Sequence, residues 1–92
     1  MKIIQSGVFG RKVKKLSKAQ KLQLDEAIRK VLAQPGIGEQ KKGDLQNIHV
    51  YKFLINDTKY LMAYRFTEDC PELIMIGPYE NYYRDLKNYL NG

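Results

Sequence analysis

The segment of residues 74–87 constrains the fold of this chain more than any other stretch of its sequence. It starts with an apolar run, residues 74–76, which is typical of a buried strand. Gly77-Pro78 ends that run, because proline has no backbone N–H to donate to a sheet. Apolar and aromatic residues then recur at helical spacing over residues 82–90. We therefore expect the chain to end as a strand, a sharp break and a helix.

Side chains suited to nucleic-acid binding follow this break, namely Tyr79, Glu80, Tyr82 and Arg84. Aromatic rings stack on bases, and a cation among them contacts phosphates. We therefore interpret this segment as a functional site at the mouth of a sheet edge rather than as part of the core.

Two helices are predicted in the first half of the chain. Phe9, Val13 and Leu16 recur at i, i+4 and i+7, which marks one face of a helix. Ser17 is a candidate N-cap for a second helix within residues 18–34. The apolar stripe expected on that second helix consists of Leu22, Ala27, Ile28, Val31 and Leu32. The two helices are expected to form a hairpin that packs on a sheet.

Strands are predicted on both sides of this hairpin. Pro35-Gly36-Ile37-Gly38 ends the second helix, and the polar residues 39–44 that follow are typical of an exposed loop. Turn-forming residues at 56–58 and 67–71 predict hairpin connections. The strands are expected over residues 2–6, 48–54, 60–66 and 73–76.

The predicted element order is β-α-α-β-β-β-α within a single domain, residues 1–92. This order indicates the α+β class, with the helical hairpin packed on a mostly antiparallel four-stranded sheet. Side chains alternate along a strand, so Lys52 is expected on the same face as Val50, with His49 on the opposite face.

The net charge of +6 is unevenly distributed along the chain. Residues 1–42 hold eleven basic and three acidic residues, whereas residues 43–92 hold five and seven. A cationic surface concentrates polyanions, so a nucleic acid or an acidic protein is the expected partner. For any single lysine, a solvated helix face is an equally good interpretation.

Several classes of protein are excluded by composition. No apolar run approaches the length of a membrane span, and the N-terminus is too short and polar for a signal peptide. With one cysteine and one histidine the chain lacks the usual ligands of a metal site, and no cofactor is expected. Because a single cysteine cannot form an intramolecular disulfide, a cytoplasmic protein is predicted.

The sequence resembles the RelE/ParE superfamily of bacterial toxins from type II toxin–antitoxin modules. Five short motifs carry the resemblance in chain order, and the last is similar to a G-x-H-E-N-F-Y-R-D-L-K ending found in one branch. The motifs are residues 9–16, Pro35-Gly36-Ile37-Gly38 with Lys42-Gly43-Asp44-Leu45, Tyr51-Lys52-Phe53, residues 60–65 and residues 77–87. They span nearly the whole chain, and the fold that they imply is RelE-like.

This resemblance implies one of two activities. RelE-like members bind the ribosomal A site and cleave the mRNA there, whereas ParE-like members block DNA gyrase. Both are neutralised by a cognate antitoxin, and operator DNA is bound through that antitoxin. A metal-independent, ribosome-dependent mRNA endoribonuclease is our first expectation. A gyrase inhibitor and an inactive module that binds only antitoxin or operator are the alternatives, since a fold does not determine a function.

The resemblance also suggests residues for RNA cleavage, in which the 2′-hydroxyl attacks the neighbouring phosphate. Lys52 falls where the family places a strand lysine. The family's active arginine falls at Leu61, so this sequence departs from the family there. Arg65, Lys59 or Arg84 could take the place of that arginine. Tyr79 falls at the histidine of the family ending, where a tyrosine can stack or donate a proton but is a poor base. The predicted catalytic set is Lys52, Arg65, Tyr79 and Arg84, converging on one concave face, with Lys41, Lys42, Lys59 and Tyr82 contacting RNA or the ribosome.

Ordinary structural roles compete with each of these assignments. Lys52 is also typical of a solvated strand residue, Arg65 of an ion pair, and Arg84 with Asp85 of a charged helix surface. One of the adjacent rings of Tyr82 and Tyr83 is expected to pack in the core.

Overall fold

The computed structural model describes residues 3–41, 47–67 and 70–91. Within these ranges the elements are β1 (Ile4–Gln5), α1 (Gly7–Lys14), α2 (Lys18–Ala33), a 3₁₀ turn (Pro35–Ile37), β2 (Glu39–Gln40), β3 (His49–Ile55), β4 (Thr58–Thr67), β5 (Cys70–Pro78) and α3 (Tyr82–Asn91). The described strands form one sheet in the order β1-β5-β4-β3-β2. β1 is parallel to β5 and every other described pair is antiparallel.

The α+β class is therefore confirmed, but the described sheet has five strands rather than the four expected. The additional strand is β2, which lies within residues 39–44, where an exposed loop was predicted. The hydroxyl of Tyr64 explains its position, because it accepts a hydrogen bond from Gly38 N at 2.9 Å and donates one to Pro35 O at 2.7 Å. These bonds hold the end of α2 against the sheet, so the following residues run beside β3.

Serine residues cap the first two helices. The Ser6 hydroxyl accepts a hydrogen bond from Phe9 N at 3.0 Å at the start of α1. Ser17 caps α2 as predicted, and Gln20 completes a capping box by accepting a hydrogen bond from Ser17 N at 2.8 Å. The expected apolar stripe of α2 is wrong at Leu22, which is 60% exposed, while Leu24 is 2% exposed and packs in the core. The helix is rotated toward Leu24 because Ala27 and Val31 continue the same face from it.

The sheet carries a separate core on each face. On the helical-hairpin face, Phe9, Leu24 and Val31 pack against Met62 and Tyr64. On the opposite face, here called the α3 face, Tyr82 and Leu86 pack against strand residues that include Val50, Leu61 and Ala63. Burial on both sides explains the long apolar runs of β4 and β5.

The β3–β4 hairpin turns on two residues. Asn56 and Asp57 have φ values of 49° and 67°, the left-handed conformation that asparagine and aspartate tolerate. Ile55 and Thr58 therefore face each other, which places Lys52 opposite Leu61. The Gln23 side chain of α2 also binds this turn, since its oxygen accepts from Asn56 N at 3.1 Å.

A β-bulge interrupts the β4–β5 ladder. Ala63 pairs with Met75 but Tyr64 pairs with Leu73, so Ile74 is the additional residue. Two hydroxyls bind the bulged backbone. Ser6 Oγ donates to Ile74 O at 2.5 Å, and the Tyr82 hydroxyl donates to Met75 O at 2.7 Å.

Candidate functional site: a lysine–tyrosine patch on the sheet

The exposed part of the α3 face lies at the end of the sheet where β4 begins and β5 ends. Strand register places Leu54 beside Lys59, and Tyr79 N donates to Lys59 O at 3.0 Å. In the next row, Lys52 pairs with Leu61. Directly paired residues project to the same side of a sheet. Lys52, Lys59 and Tyr79 therefore share the α3 face, and Lys52 lies on the same face as Val50, as predicted. We call these three residues the lysine–tyrosine patch.

The patch is accessible and positively charged. Tyr79 is 53% exposed and Leu54 beside it is 58% exposed. The Lys59 ammonium lies 5.4 Å from the centre of the Tyr79 ring, a cation–π contact that holds the two side chains together. Lys52 is the diagonal neighbour of Lys59, at a Cβ separation of about 7–8 Å for such pairs. The Lys59 cation thus lies against an exposed ring, and Lys52 adds a second cation on the same face, two strands away from Tyr79.

Arg84 lies next to this patch. Tyr79, Glu80 and Arg84 line one shallow hollow of about 550 Å³ at the start of α3. The Arg84 guanidinium lies 3.4 Å from the Asp85 carboxylate in an exposed contact, and so stays open to solvent. The structure therefore brings Lys52, Tyr79 and Arg84 to one end of the sheet.

Arg65 lies elsewhere, and its expected convergence with Lys52 is wrong. Lys52 pairs with Leu61, and Arg65 is four residues further along β4, about 13 Å away at the usual rise of a strand. Arg65 instead pairs with Glu72 on β5, with Nε 2.7 Å from the carboxylate oxygen. The two-residue turn sets this register. As a result Lys52 lies opposite Leu61 rather than opposite Arg65.

Tyr82 was predicted to contact RNA, but it belongs to the core. Its side chain is 3% exposed, so a nucleic acid cannot reach it. Burial raises the pKa of its hydroxyl well above the ordinary tyrosine value, with the Ala63 backbone amide acting in the opposite direction. Tyr83 is half-buried and meets Tyr82 edge to face, with ring centres 5.8 Å apart. The expectation that one of the two rings packs in the core is confirmed.

Lys41 is held by neighbours instead of lying in a free loop. Its ammonium is 2.7 Å from the Glu39 carboxylate and 4.8 Å from the centre of the Tyr83 ring. The hydrogen bond to Glu39 raises the pKa of Lys41 and lowers the pKa of Glu39. Lys41 therefore ties the β2 side of the sheet to α3. Lys42 lies outside the described residues.

His49 lies on the opposite face from Lys52, as strand alternation predicted. Its ring stacks on Tyr64 with centres 5.4 Å apart, and its buried Nδ1 atom has no hydrogen-bond partner among the described residues. It cannot act on a substrate held at the lysine–tyrosine patch, because the sheet separates them. Among the described residues, no group of three His, Cys, Asp or Glu side chains is placed to bind a metal ion.

The family assignment comes from a comparison with sequence families. A model described as the ParE-like toxin of type II bacterial toxin–antitoxin systems matches residues 3–87. The chain belongs to this family. A search of curated proteins found no match.

Solved structures of E. coli RelE share the fold of this ParE-like toxin. The intact E. coli RelBE toxin–antitoxin complex contains a chain with a TM-score of 0.70 and 18% identity, covering 86% of this chain and 96% of that one. The isolated E. coli RelE toxin has a TM-score of 0.67 and 18% identity, covering 96% of this chain and 97% of that one. A double-arginine mutant of E. coli RelE in the free state has a TM-score of 0.71 and 16% identity, covering 95% of this chain and 90% of that one. At this identity the likeness concerns the fold alone.

Sequence reasoning named the patch residues separately but missed the contact between Lys59 and Tyr79. The signal was present in the turn, since a two-residue Asn-Asp hairpin fixes the position of Lys59 on β4. As for the bilayer, no helix in the described ranges is both long enough and apolar enough to cross it.

Proposed function

We propose that this type II toxin acts on the ribosome as an mRNA endoribonuclease. The observation that carries this proposal is the lysine–tyrosine patch, where Lys59 contacts an exposed aromatic ring and Lys52 lies on the same face of the sheet. Such a patch suits one nucleotide and its phosphate, with the base stacked on Tyr79 and the phosphate between Lys52 and Lys59.

The residues of the patch can assist cleavage without a strong base. The substrate's 2′-hydroxyl attacks the adjacent phosphorus, its proton leaves to solvent, and the bond to the 5′-oxygen breaks. Lys52 and Lys59 stabilise the negative charge that builds on the phosphate oxygens in the transition state. Arg84, at the hollow beside Tyr79, supplies a further cation. The leaving 5′-oxygen needs a proton, which Tyr79 or a protonated lysine can donate. Ribosomal positioning of the RNA lowers the rest of the barrier.

A cognate antitoxin is the expected protein partner, because the fold is shared with the toxin of the E. coli RelBE complex. Acidic segments that fold on binding suit the basic helices of this chain. We expect operator DNA to be bound through the antitoxin, and the toxin to act in the cytoplasm. Association of the two proteins should slow as salt concentration rises, because surface charge steers the encounter. An association rate that does not depend on ionic strength would contradict this.

The deciding experiment uses purified toxin, programmed ribosomes and mRNA, with cleavage mapped by primer extension. Wild-type protein should produce breaks at fixed codon positions, and Lys52→Ala should remove most of them. Lys21→Ala, which removes an exposed lysine from α2, is the matched control and should cleave normally. Absence of ribosome-dependent cleavage by the wild-type protein would overturn the proposal.

Gyrase inhibition is a second candidate, favoured by one observation. Leu61 stands where the resemblance places an active arginine, and it is fully buried opposite Lys52. The patch thus lacks a central guanidinium, which suits binding better than rapid chemistry. Inhibition of DNA supercoiling by purified toxin, with DNA breaks in expressing cells, would support this candidate. A protein that causes neither effect and no growth defect would be an inactive binding module.

A further inference from the structure

A cavity of about 220 Å³ opens on the helical-hairpin face, between the end of α1, the start of α2 and the end of β5. We call it the α1–β5 slot. Its lining is Lys12, Lys15, Leu16, Gln20, Tyr60, Ile76, Gly77 and Pro78.

The polar groups of the α1–β5 slot are hydrogen-bond donors. Lys12 and Lys15 are exposed at its rim, and in the described part of the chain neither forms an ion pair. The Gln20 side-chain oxygen is occupied by Ser17 N at 2.8 Å, so its amide N–H groups are the part left for a ligand. Among the residues that the structure describes, no carboxylate lines the slot. The slot therefore selects a ligand with negative charge and hydrogen-bond acceptors.

The floor of the slot is apolar and includes an aromatic ring. Ile76 is 2% exposed, and Leu16 and Tyr60 are half-buried beside it. A ligand that fills this space needs a flat or apolar body next to its anionic group. A nucleotide has both, since its base stacks on aromatic side chains and its phosphate pairs with lysine.

The slot lies on the far side of the same sheet end as the lysine–tyrosine patch. Tyr60 pairs with Pro78, and Tyr79 N binds Lys59 O in the adjacent position. Tyr60 and Pro78 of the slot are thus the chain neighbours of the patch residues Lys59 and Tyr79, which point to the opposite face. A single RNA strand that passes over the end of β4 and β5 can reach both.

We propose that the α1–β5 slot binds one nucleotide of single-stranded RNA, flanking the nucleotide held at the patch. The base lies against Tyr60 and Pro78, and the phosphate lies between Lys12 and Lys15. This inference deepens the proposed function and rests on it for the identity of the RNA, but the binding itself needs no ribosome. An acidic peptide is the competing occupant. The Tyr60 ring favours RNA, because an aromatic floor adds stacking that a peptide of acidic and aliphatic residues does not use.

The test measures binding of a single-stranded RNA hexamer that carries 2-aminopurine, whose fluorescence falls on stacking. Lys12→Ala with Lys15→Ala should weaken binding about tenfold, and should flatten the salt dependence by about 0.7 for each lost phosphate contact. Lys14→Ala with Lys18→Ala is the matched control. It removes the same charge from the same exposed hairpin, outside the slot lining, and should change affinity less than twofold.

A second variant tests the base. Tyr60→Leu keeps the floor apolar but removes the ring, so the fluorescence change should disappear and affinity should fall about tenfold. Thermal melting of each variant separates these effects from unfolding. Equal weakening by the two lysine pairs would show a diffuse charge effect and overturn the proposal. A polyglutamate peptide is the second probe. If it displaces the RNA, and if its binding depends on Lys12 and Lys15 but not on the Tyr60 ring, the slot belongs to a protein partner and the proposal is overturned.

The same variants separate this inference from the proposed function. If wild-type toxin cleaves mRNA on ribosomes and the two double-lysine variants bind the hexamer equally well, the slot proposal is wrong and the nuclease proposal stands. If wild-type toxin fails to cleave but the hexamer still depends on Lys12, Lys15 and Tyr60, the nuclease is wrong and the slot stands.

Discussion

The two faces of the sheet are covered to different extents. On the helical-hairpin face, α1 and α2 cover the strands so that Tyr51, Phe53, Tyr60 and Phe66 are all half-buried. On the α3 face a single ten-residue helix covers the central rows, and the end of the sheet stays open. The lysine–tyrosine patch occupies that open end. The proposed catalytic residues therefore lie on the less covered face, where its covering helix stops.

The largest expected effect separates the patch end of the α3 face from the end that carries Arg65. Lys52→Ala should lower ribosome-dependent cleavage about 10²–10³-fold, because charge stabilisation acts chiefly in the transition state. Arg65→Ala should lower it only a few-fold, since Arg65 is paired with Glu72 at the other end. Single-turnover cleavage by both variants checks this. Equal losses would mean that the two ends form one site.

The next effect concerns the helical-hairpin face, where Gly38 meets Tyr64. A Cβ added to Gly38 would lie 2.6 Å from the Tyr64 hydroxyl oxygen, and this ring is fully buried. Gly38→Ala should lower the free energy of unfolding by about 2–3 kcal/mol, within the range for overpacking. Gly36→Ala is the control, since no atom of the described ranges lies within 4 Å of its added Cβ. Urea unfolding of both variants measures the difference, and a stable Gly38→Ala would remove Tyr64 as the anchor of β2.

A smaller effect compares a buried tyrosine hydroxyl of α3 with an exposed one. Tyr82→Phe on the α3 face should cost about 1–2 kcal/mol, because it removes the hydroxyl from the buried Met75 carbonyl. Tyr89→Phe, at a 41% exposed ring, should change stability little. Chemical unfolding at neutral pH measures both, and an equal cost in the two variants would contradict the role of Tyr82.

The buried hydroxyls of Tyr64 and Tyr82, one on each face of the sheet, predict a loss of stability at alkaline pH. Burial raises the pKa values of Tyr64 and Tyr82 above the ordinary 10.0, so the folded protein keeps protons that the unfolded chain releases. The unfolded chain then binds fewer protons above pH 10, and the free energy of unfolding falls as pH rises. Tyr82→Phe should make that fall shallower. A pH dependence identical to wild type would assign the alkaline loss to other groups.

The smallest effect tests the tie between β2 and α3. Lys41→Met keeps much of the side-chain volume but removes the charge from Glu39 and from the Tyr83 ring. We expect a loss of about 0.5–1 kcal/mol, as for cation–π contacts near the surface. The ion pair of Glu39 with Lys41 should stabilise the fold above pH 4.5. That stabilisation is lost as pH falls through the lowered folded-state pKa of Glu39. Lys30→Met, in an exposed helical ion pair, is the control.

Much of this fold follows from sequence signals of short range. The Ser17 cap, the β3–β4 turn and the strand alternation at Lys52 each depend on a few neighbouring residues, and each was predicted correctly. Residues 68–69 of the second predicted turn lie outside the described residues. The errors came from tertiary packing. Leu22 and Leu24 are equally apolar, and only the contact with the sheet decides which is buried. The separation of Arg65 from Lys52 depends on register, which a two-residue turn sets and a three-residue turn would change.

The position of β2 and the bulge at Ile74 could not be predicted, because both depend on hydroxyls far away in the chain. Tyr64 draws Gly38 to the sheet, and Ser6 reaches the Ile74 carbonyl across 68 positions. The candidate site shows the same division. Its residue types were evident from the sequence, whereas the removal of Tyr82 into the core needed the packing of α3.

The bulge between β4 and β5 has a consequence for the order in which the chain folds. The Tyr82 hydroxyl is bound to the Met75 carbonyl and is near the amide of Ala63, so its binding site is made from both strands. An unpaired β5 offers only half of that site. We therefore expect α3 to dock late, after the β4–β5 hairpin has closed, and hydrogen exchange during refolding should protect Ala63 before the helical amides of α3.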